Sequence, residues 1–378
     1  MILQGLPNMK KKILFLGVFP SPYYGCSILC KSILDFLEES PLLDVHHIKL
    51  NYSKEMDDVG KINLDKISGI FKVRKQIMNE LKSFEPDFVY FAPATTSLGL
   101  MRDSHFAALI KKKQFPILFH LHSRITSDIR KKKMNERMLR KMLVGEKAIV
   151  LGKELVSDAN WILPEKNIKI LPNAMVNEVS EEAIEKIVLK RKKKKNVDIL
   201  FLSNMIESKG WPKVLEACKI LKEKNVNFKC NFVGAWPSDK EKDNFFDYIN
   251  ENHLVKCVNY LGKKTGSQKN KILESSDVLI FPTEYPIETF GLVILEAMMH
   301  SIPVISNNIA AIPSIIEHGK TGYVLNKNTP KEISYFLDKL IKDKTLREDM
   351  GELGRKRFLE HFEMNDYKKK LIDILCTN

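Results

Sequence analysis

Two α/β domains, each built on a parallel sheet covered by helices on both faces, are the fold class this sequence predicts. Three observations predict it. Short apolar runs recur along the chain, the stretches between them carry apolar residues three and four apart, and 378 residues exceed what one hydrophobic core usually supports.

In the first half the runs read as strands at Ile13–Phe19, Val45–Leu50, Phe88–Phe91, Ile117–Leu121, Ala148–Leu151 and Ile168–Leu171. In the second half they fall at Ile199–Leu202, Phe228–Val233, Val258–Leu261, Val278–Phe281 and Pro303–Ile305. Trp211–Lys224 and Thr329–Lys342 are two of the helical stretches between strands. Lys10–Lys12 followed by Ile13–Phe19 mimic a secretory signal, but the apolar run is short and Pro20 and Pro22 follow it. A buried first strand is the better reading, with Met9 as an alternative start. No apolar run approaches the roughly 18 residues needed to span a bilayer.

The boundary between domains is expected at Lys190–Lys195 (KRKKKK), read as a solvated linker or helix end after the helical stretch Glu181–Leu189. A phosphate-binding role is the alternative for that run. The domains then cover residues 1–190 and 196–360, and residues 361–378 form a C-terminal helix that packs back on the first domain.

Apolar residues make up 44% of the chain and charged residues 29%, the balance of a folded protein. The net charge of +14 favours an acidic partner: nucleic acid, an anionic membrane surface or a phosphorylated substrate. No nucleic-acid-binding motif accompanies the charge. The six cysteines form no Cys-x-x-Cys pair, so no zinc or redox motif is signalled, and free thiols suit a reducing cytoplasm. Cys26 and Cys30, one helical turn apart, read as small core residues before a ligand pair.

The densest signal is Phe281–Ile305, FPTEYPIETFGLVILEAMMHSIPVI. A strand ends at Phe281, a loop carries two prolines, and a helix is expected to start near Phe290. Ligands of open α/β sheets bind beyond the carboxyl ends of strands, where this loop must lie. The amides of Thr289, Phe290, Gly291 and Leu292, at a helix start, form a candidate phosphate cradle. Glu296 sits among Val293, Ile294, Leu295, Ala297 and Met298, so its carboxylate is expected to be buried and to need a partner. That partner is either a structural lysine or a ligand presenting hydroxyls.

Glu288, seven intervening residues and Glu296, in the frame ETFGLVILEAM, resemble the signature of retaining glycosyltransferases of family 4. That resemblance runs over most of the chain and is strongest between Ile199 and Val324. It implies the GT-B fold, two Rossmann-like doubly wound domains facing a central cleft, with acceptor bound by the first domain and nucleotide sugar by the second. It further implies that Glu288 touches the transferred sugar, that Glu296 holds the ribose and that the amides at Thr289–Leu292 hold the diphosphate.

Phe201–Gly210 (FLSNMIESKG) is similar to the segment where the family carries an Arg and a Lys against the diphosphate. Lys209 matches the Lys, while Asn204 stands at the Arg position and brings no charge. In Pro20–Leu29 the resemblance implies a donor-facing glycine pair, of which Gly25 remains and Cys26 replaces the second. His120 and His122 end another strand and share a face; the resemblance assigns His122 to the donor sugar, whereas the residues alone read as a structural pair. Pro172–Asn173 and Gly319–Gly322 match family punctuation. Ser301 and Ala310–Ala311 stand where glycines are common.

The expected reaction therefore moves a sugar from a nucleoside diphosphate sugar to a saccharide or lipid-linked acceptor, with His122, Lys209 and Glu288 as catalytic residues. No metal and no cofactor beyond the nucleotide sugar is expected, and UDP is favoured only because it is common. A glycosyl phosphorylase or sugar-phosphate synthase of the same fold, or a silent GT-B subunit, are the alternatives. Arg124–Lys141 carries eight basic residues beside Met134, Met138 and Met142, either as a solvated helix or as an anionic-membrane contact. The expected location is cytoplasmic, peripheral at the inner face of the cell membrane.

Overall fold

The structure, a computed structural model, describes residues 10–20, 25–50, 64–95 and 97–377. The chain divides into two compact units, residues 1–171 with 368–378, and residues 172–367.

The first unit holds strands β1 (Lys11–Gly17), β2 (Leu43–Lys49), β3 (Phe88–Phe91), β4 (Ile117–His120), β5 (Lys147–Val150) and β6 (Ile168–Ile170). They form one sheet in the order β2-β1-β3-β4-β5-β6, every neighbouring pair parallel. Helices α1 (Gly25–Glu39), α2 (Leu64–Ser83), α3 (Ser97–Lys112), α4 (Ser127–Lys131) and α5 (Lys133–Leu143) connect them. The segment read as a signal-like run is thus β1, whose Ile13, Leu14, Phe15 and Leu16 are fully buried.

In the second unit α6 (Glu181–Lys192) precedes β7 (Val197–Leu202), α7 (Trp211–Glu223), β8 (Phe228–Val233), α8 (Asp239–Glu251) and β9 (Val258–Tyr260). After these come α9 (Gly266–Ser275), β10 (Val278–Phe281), α10 (Leu292–Met299), β11 (Val304–Asn307), α11 (Ile312–Ile315) and β12 (Gly322–Leu325). Helices α12 (Pro330–Lys342), α13 (Lys344–His361) and α14 (Met364–Cys376) complete the chain. The sheet order is β12-β11-β10-β7-β8-β9, again parallel throughout. The order reverses between β7 and β10, so the loops leaving those two strands border the crevice where such sheets bind ligands. The last turns of α14 belong to the first unit, where Leu371 and Leu375 are buried and Lys368 lies 5.0 Å from the Phe36 ring.

Lys190–Lys195 is the helix end of the two readings given for it, and not a linker between the units. The chain passes between units at Leu171–Pro172, and the basic run closes α6 inside the second unit. Arg191 donates to the carbonyls of Ser276, His300 and Ser301, and Lys194 pairs with Asp198 and Asp277, both at 2.6 Å. A guanidinium can be half-buried when backbone oxygens replace its water. Burial pushes Arg191 down to about 10, with Asp277 opposing the shift.

Two residues standing where family members often have glycine take left-handed backbone: Ser301 at φ 52° and Ala310 at φ 52°. Gly210 does too, at φ 95°, and a Cβ there would lie 2.4 Å from the Pro282 carbonyl oxygen, because the β7 and β10 loops touch at this point. Gly262, at φ 75°, has open space around its missing Cβ. Gly210→Ala should therefore cost about 2–4 kcal/mol, strain plus overpacking, against about 1 kcal/mol for Gly262→Ala. Thermal midpoints of the two variants check this, and a Gly210→Ala midpoint at or above that of Gly262→Ala would contradict the close approach.

Candidate functional site

The two loops at the β7–β10 reversal bring Lys209 and Glu288 together. Lys209 ends a short 3-10 turn, Glu207–Lys209, just before Gly210 and α7. Its ammonium lies 2.7 Å from Glu288 Oε2 and 4.3 Å from the centre of the Tyr285 ring. Both charged side chains are mostly buried, at 14% and 11% exposure, which strengthens their attraction beyond that of a surface pair. The Glu284 amide donates to the Ser208 carbonyl at 2.7 Å and Lys213 pairs with Glu284 at 2.6 Å, fastening one loop to the other. Asn204, at the end of β7, is exposed.

Helix α10 starts two residues later than the sequence predicts. Gly291 is its N-cap, at φ 81°, so Thr289 and Phe290 precede the helix. Phe290 is buried against Phe362, which leaves only its backbone to face a ligand. The first amides of α10 have no helical partner, and Gly291 is fitted to its left-handed turn, since a Cβ there would press on Phe281 and Ile294, both at 3.2 Å. Ile294, Leu295, Ala297, Met298 and Met299 are buried, as the all-round apolar pattern requires.

Glu296, on this helix, has the lysine partner that its environment called for. Lys269 Nζ of α9 reaches Glu296 Oε1 at 2.7 Å. Its other oxygen, Oε2, is shielded from water and has no hydrogen-bond partner among the described residues. At the opposite end of α10, Arg191 donates to the carbonyls of His300 and Ser301, and Arg355 to that of Met299. Two cations thus complement the negative end of a helix whose positive end opens onto the site.

His122 belongs to the first unit, just past β4. His120 and His122 do share a face: their rings lie 3.9 Å apart, and the Tyr90 hydroxyl hydrogen-bonds His120 Nδ1. Burial holds His122 near 4, and burial with the neighbouring His122 charge holds His120 well below its ordinary value. Both rings are accordingly neutral at pH 7. Gly25 is the first residue of α1, and residues 21–24 of its loop lie outside those described, as does the Cys26 side chain. Among the described residues no group of three His, Cys, Asp or Glu could hold a metal ion.

Lys269, Tyr285, Arg191 and Arg355 were not singled out for this site by the sequence. The first two act across loops that periodicity does not connect. Arg191 was hidden inside a run that looks uniformly solvated.

Residues 181–357 match the sequence profile of the family described as glycosyl transferases group 1. The capsular polysaccharide biosynthesis glycosyltransferase CapM of Staphylococcus aureus is 30% identical over 167 residues, 44% of this chain and 42% of that protein. The chain thus spans less than half the length of that relative. Among solved structures, HepE of Anabaena in complex with UDP is similar with a TM-score of 0.73 and 17% identity, over 97% of this chain and 100% of that one. Sucrose-phosphate synthase from Thermosynechococcus elongatus gives a TM-score of 0.73 at 14% identity, over 97% and 99%. At these identities the likeness shows the fold, and with the two parallel sheets it is the GT-B fold. The family likeness lies in residues 181–357 of the second unit, which resemble the glycosyl transferases group 1.

Proposed function

We propose that this protein transfers a sugar from a nucleoside diphosphate sugar to a saccharide or lipid-linked acceptor in cell-surface glycan synthesis, with retention at the anomeric carbon. The observation that carries the reading is the Lys209–Glu288 pair set beside the Gly291 helix start at the sheet's point of reversal. The capsular relative supports the pathway, and the UDP bound to HepE supports a uridine nucleotide.

In this reading the diphosphate rests on the amides around Gly291, and Lys209 moves its charge from Glu288 toward the phosphate as negative charge builds there. Glu288, relieved of the lysine, accepts hydrogen bonds from the sugar. The acceptor oxygen bonds to the anomeric carbon as the carbon–phosphate-oxygen bond breaks, and the acceptor proton passes to the departing phosphate on the same face. His122, neutral at pH 7, orients the sugar through a hydrogen bond and not a charge. Asn204 supplies no second cation, so Lys209 carries the electrostatic work with the amides. A protein-bound metal has no assigned part.

The same reading places the acceptor at a membrane. The basic segment is two helices, α4 and α5, broken where Lys132 turns extended. Leu139, Met142 and Leu143 bury the inner face. Arg130 and Arg140 flank the Trp161 ring at 5.2 and 5.3 Å, and Arg124 is taken by Asp158 at 3.2 Å. Lys131–Lys133, Arg137, Arg140 and Lys141 are exposed together with Met134, at 70% exposure. An apolar tip among cations suits an anionic bilayer surface, where each basic residue contributes about 1 kcal/mol.

Thermal-shift screening against UDP-, GDP- and ADP-sugars should reveal one stabilising donor, whose transfer or hydrolysis then reads activity. Lys209→Met should lower turnover about a hundredfold or more, with chelator leaving the wild-type rate unchanged. Stabilisation by none of the donors would overturn the assignment, and loss of activity in EDTA restored by manganese would overturn the metal-free mechanism.

Sedimentation with liposomes tests the membrane contact. Binding should require anionic lipid, weaken as salt rises, and fall when Lys131, Lys132 and Lys133 are changed to Glu. Equal recovery with neutral and anionic vesicles would leave α4 and α5 as a solvated pair.

A further inference from the structure

We infer that Tyr285 is a positioning residue for Lys209, an inference that rests on the nucleotide-sugar reading and deepens it. Its ring face holds the ammonium while the hydrogen bond of that ammonium passes from Glu288 to the departing phosphate. The ammonium lies 4.3 Å from the centre of the Tyr285 ring and 5.6 Å from that of Phe281, on a side chain only 14% exposed. Lys11, Lys12, Lys339 and Lys368 lie over rings too, but at 5.0–5.5 Å. The attraction between a cation and a ring face grows as water is removed, so the pair at the site is the strong one.

The local sequence builds this grip. The Glu288 amide donates to the Tyr285 carbonyl at 2.8 Å, closing a β-turn with Pro286 at its second position, where a fixed φ suits the turn. The turn folds residue 288 back beside residue 285, so ring and carboxylate meet the same ammonium. The Tyr285 amide donates to Thr283 Oγ1 at 3.2 Å, and that hydroxyl lies 3.5 Å from Glu288 Oε2. What touches Lys209 is the ring of Tyr285.

A ring face and a carboxylate ask different things of a lysine. An ammonium has three donors and no acceptor. Glu288 accepts from it in the structure, and in the proposed reaction a phosphate oxygen takes that place. The ring has no lone pair with which to compete for the phosphate's hydrogen bond, so it can stay in contact through the exchange. Without it, a flexible four-carbon stem would carry the charge with nothing to fix its direction as Glu288 lets go. The ring therefore acts on turnover more than on donor affinity, and it does so through Lys209 without touching the nucleotide sugar.

Turnover of the full chain with UDP-, GDP- and ADP-sugars tests this. Tyr285→Leu, which keeps an apolar side chain and removes the ring, should lower kcat about five- to thirtyfold and change KM by less than about threefold. Tyr285→Phe keeps the ring and should restore most of the rate. Mono-, di- and trifluorinated phenylalanine placed at residue 285 nearly preserve shape while draining the ring face of electron density, so kcat should fall in steps along that series. In a Lys209→Met background the change of Tyr285 to Leu should have no further effect. Wild-type kcat in Tyr285→Leu, no trend with fluorination, or an undiminished loss in the Lys209→Met background would each overturn the role of Tyr285 alone. Full turnover in Lys209→Met, or a wild type that turns over none of the three donors, would instead overturn the nucleotide-sugar reading beneath it.

Discussion

A short helix that is apolar nearly all round must be buried, and a buried helix must have both ends answered; α10 imposes that constraint on the second domain. Its C-terminal carbonyls cannot reach water, so Arg191 and Arg355 come to them from α6 and α13. Its N-terminal amides are left facing the crevice, where water or a ligand completes them. The position of α6, the burial of part of a basic run and the location of the site all follow from closing one end of this helix and leaving the other open.

The same economy governs the charges beside it. Lys209 with Glu288 and Lys269 with Glu296 are two lysine–glutamate pairs, each partly removed from solvent. Neither carboxylate could be held there alone without a large desolvation cost. The pairs differ in what they leave over. Lys209 is gripped by a ring face and a carboxylate that a diphosphate could replace, whereas Lys269 is bound to a glutamate that keeps a spare oxygen.

Much of this was legible in the sequence, and the failures have physical causes. Eleven strands announced themselves as apolar runs between helices, and the ETFGLVILEAM frame marked the crevice because few residues can serve there. β12 escaped notice as a strand: it has four residues, and its first, Gly322, lies so close to the Val304 carbonyl that no side chain fits. Lys190–Lys195, rightly read as a helix end, misled as a linker because a run of charge is normally solvated, and only three-dimensional proximity supplies the carbonyls that hold Arg191 half-buried. The start of α10 shifted because Gly291 takes a left-handed backbone that ends the loop later than apolar periodicity indicates. Lys269 could not be found, since its partner lies beyond an intervening strand.

The arginine closure of α10 also sets where the second domain can be cut. Arg191 lies outside the sheet, six residues before β7, and Arg355 holds the Val179 carbonyl and the Glu181 carboxylate. A fragment trimmed neatly to the first strand would retain every β-strand of the domain and still strand the carbonyls of His300 and Ser301. The portable module begins upstream, with α6 included. Recombination between relatives at the sheet boundary would exchange strands intact while separating a helix from the residue that seals it; exchange at Leu171–Pro172 would carry both together.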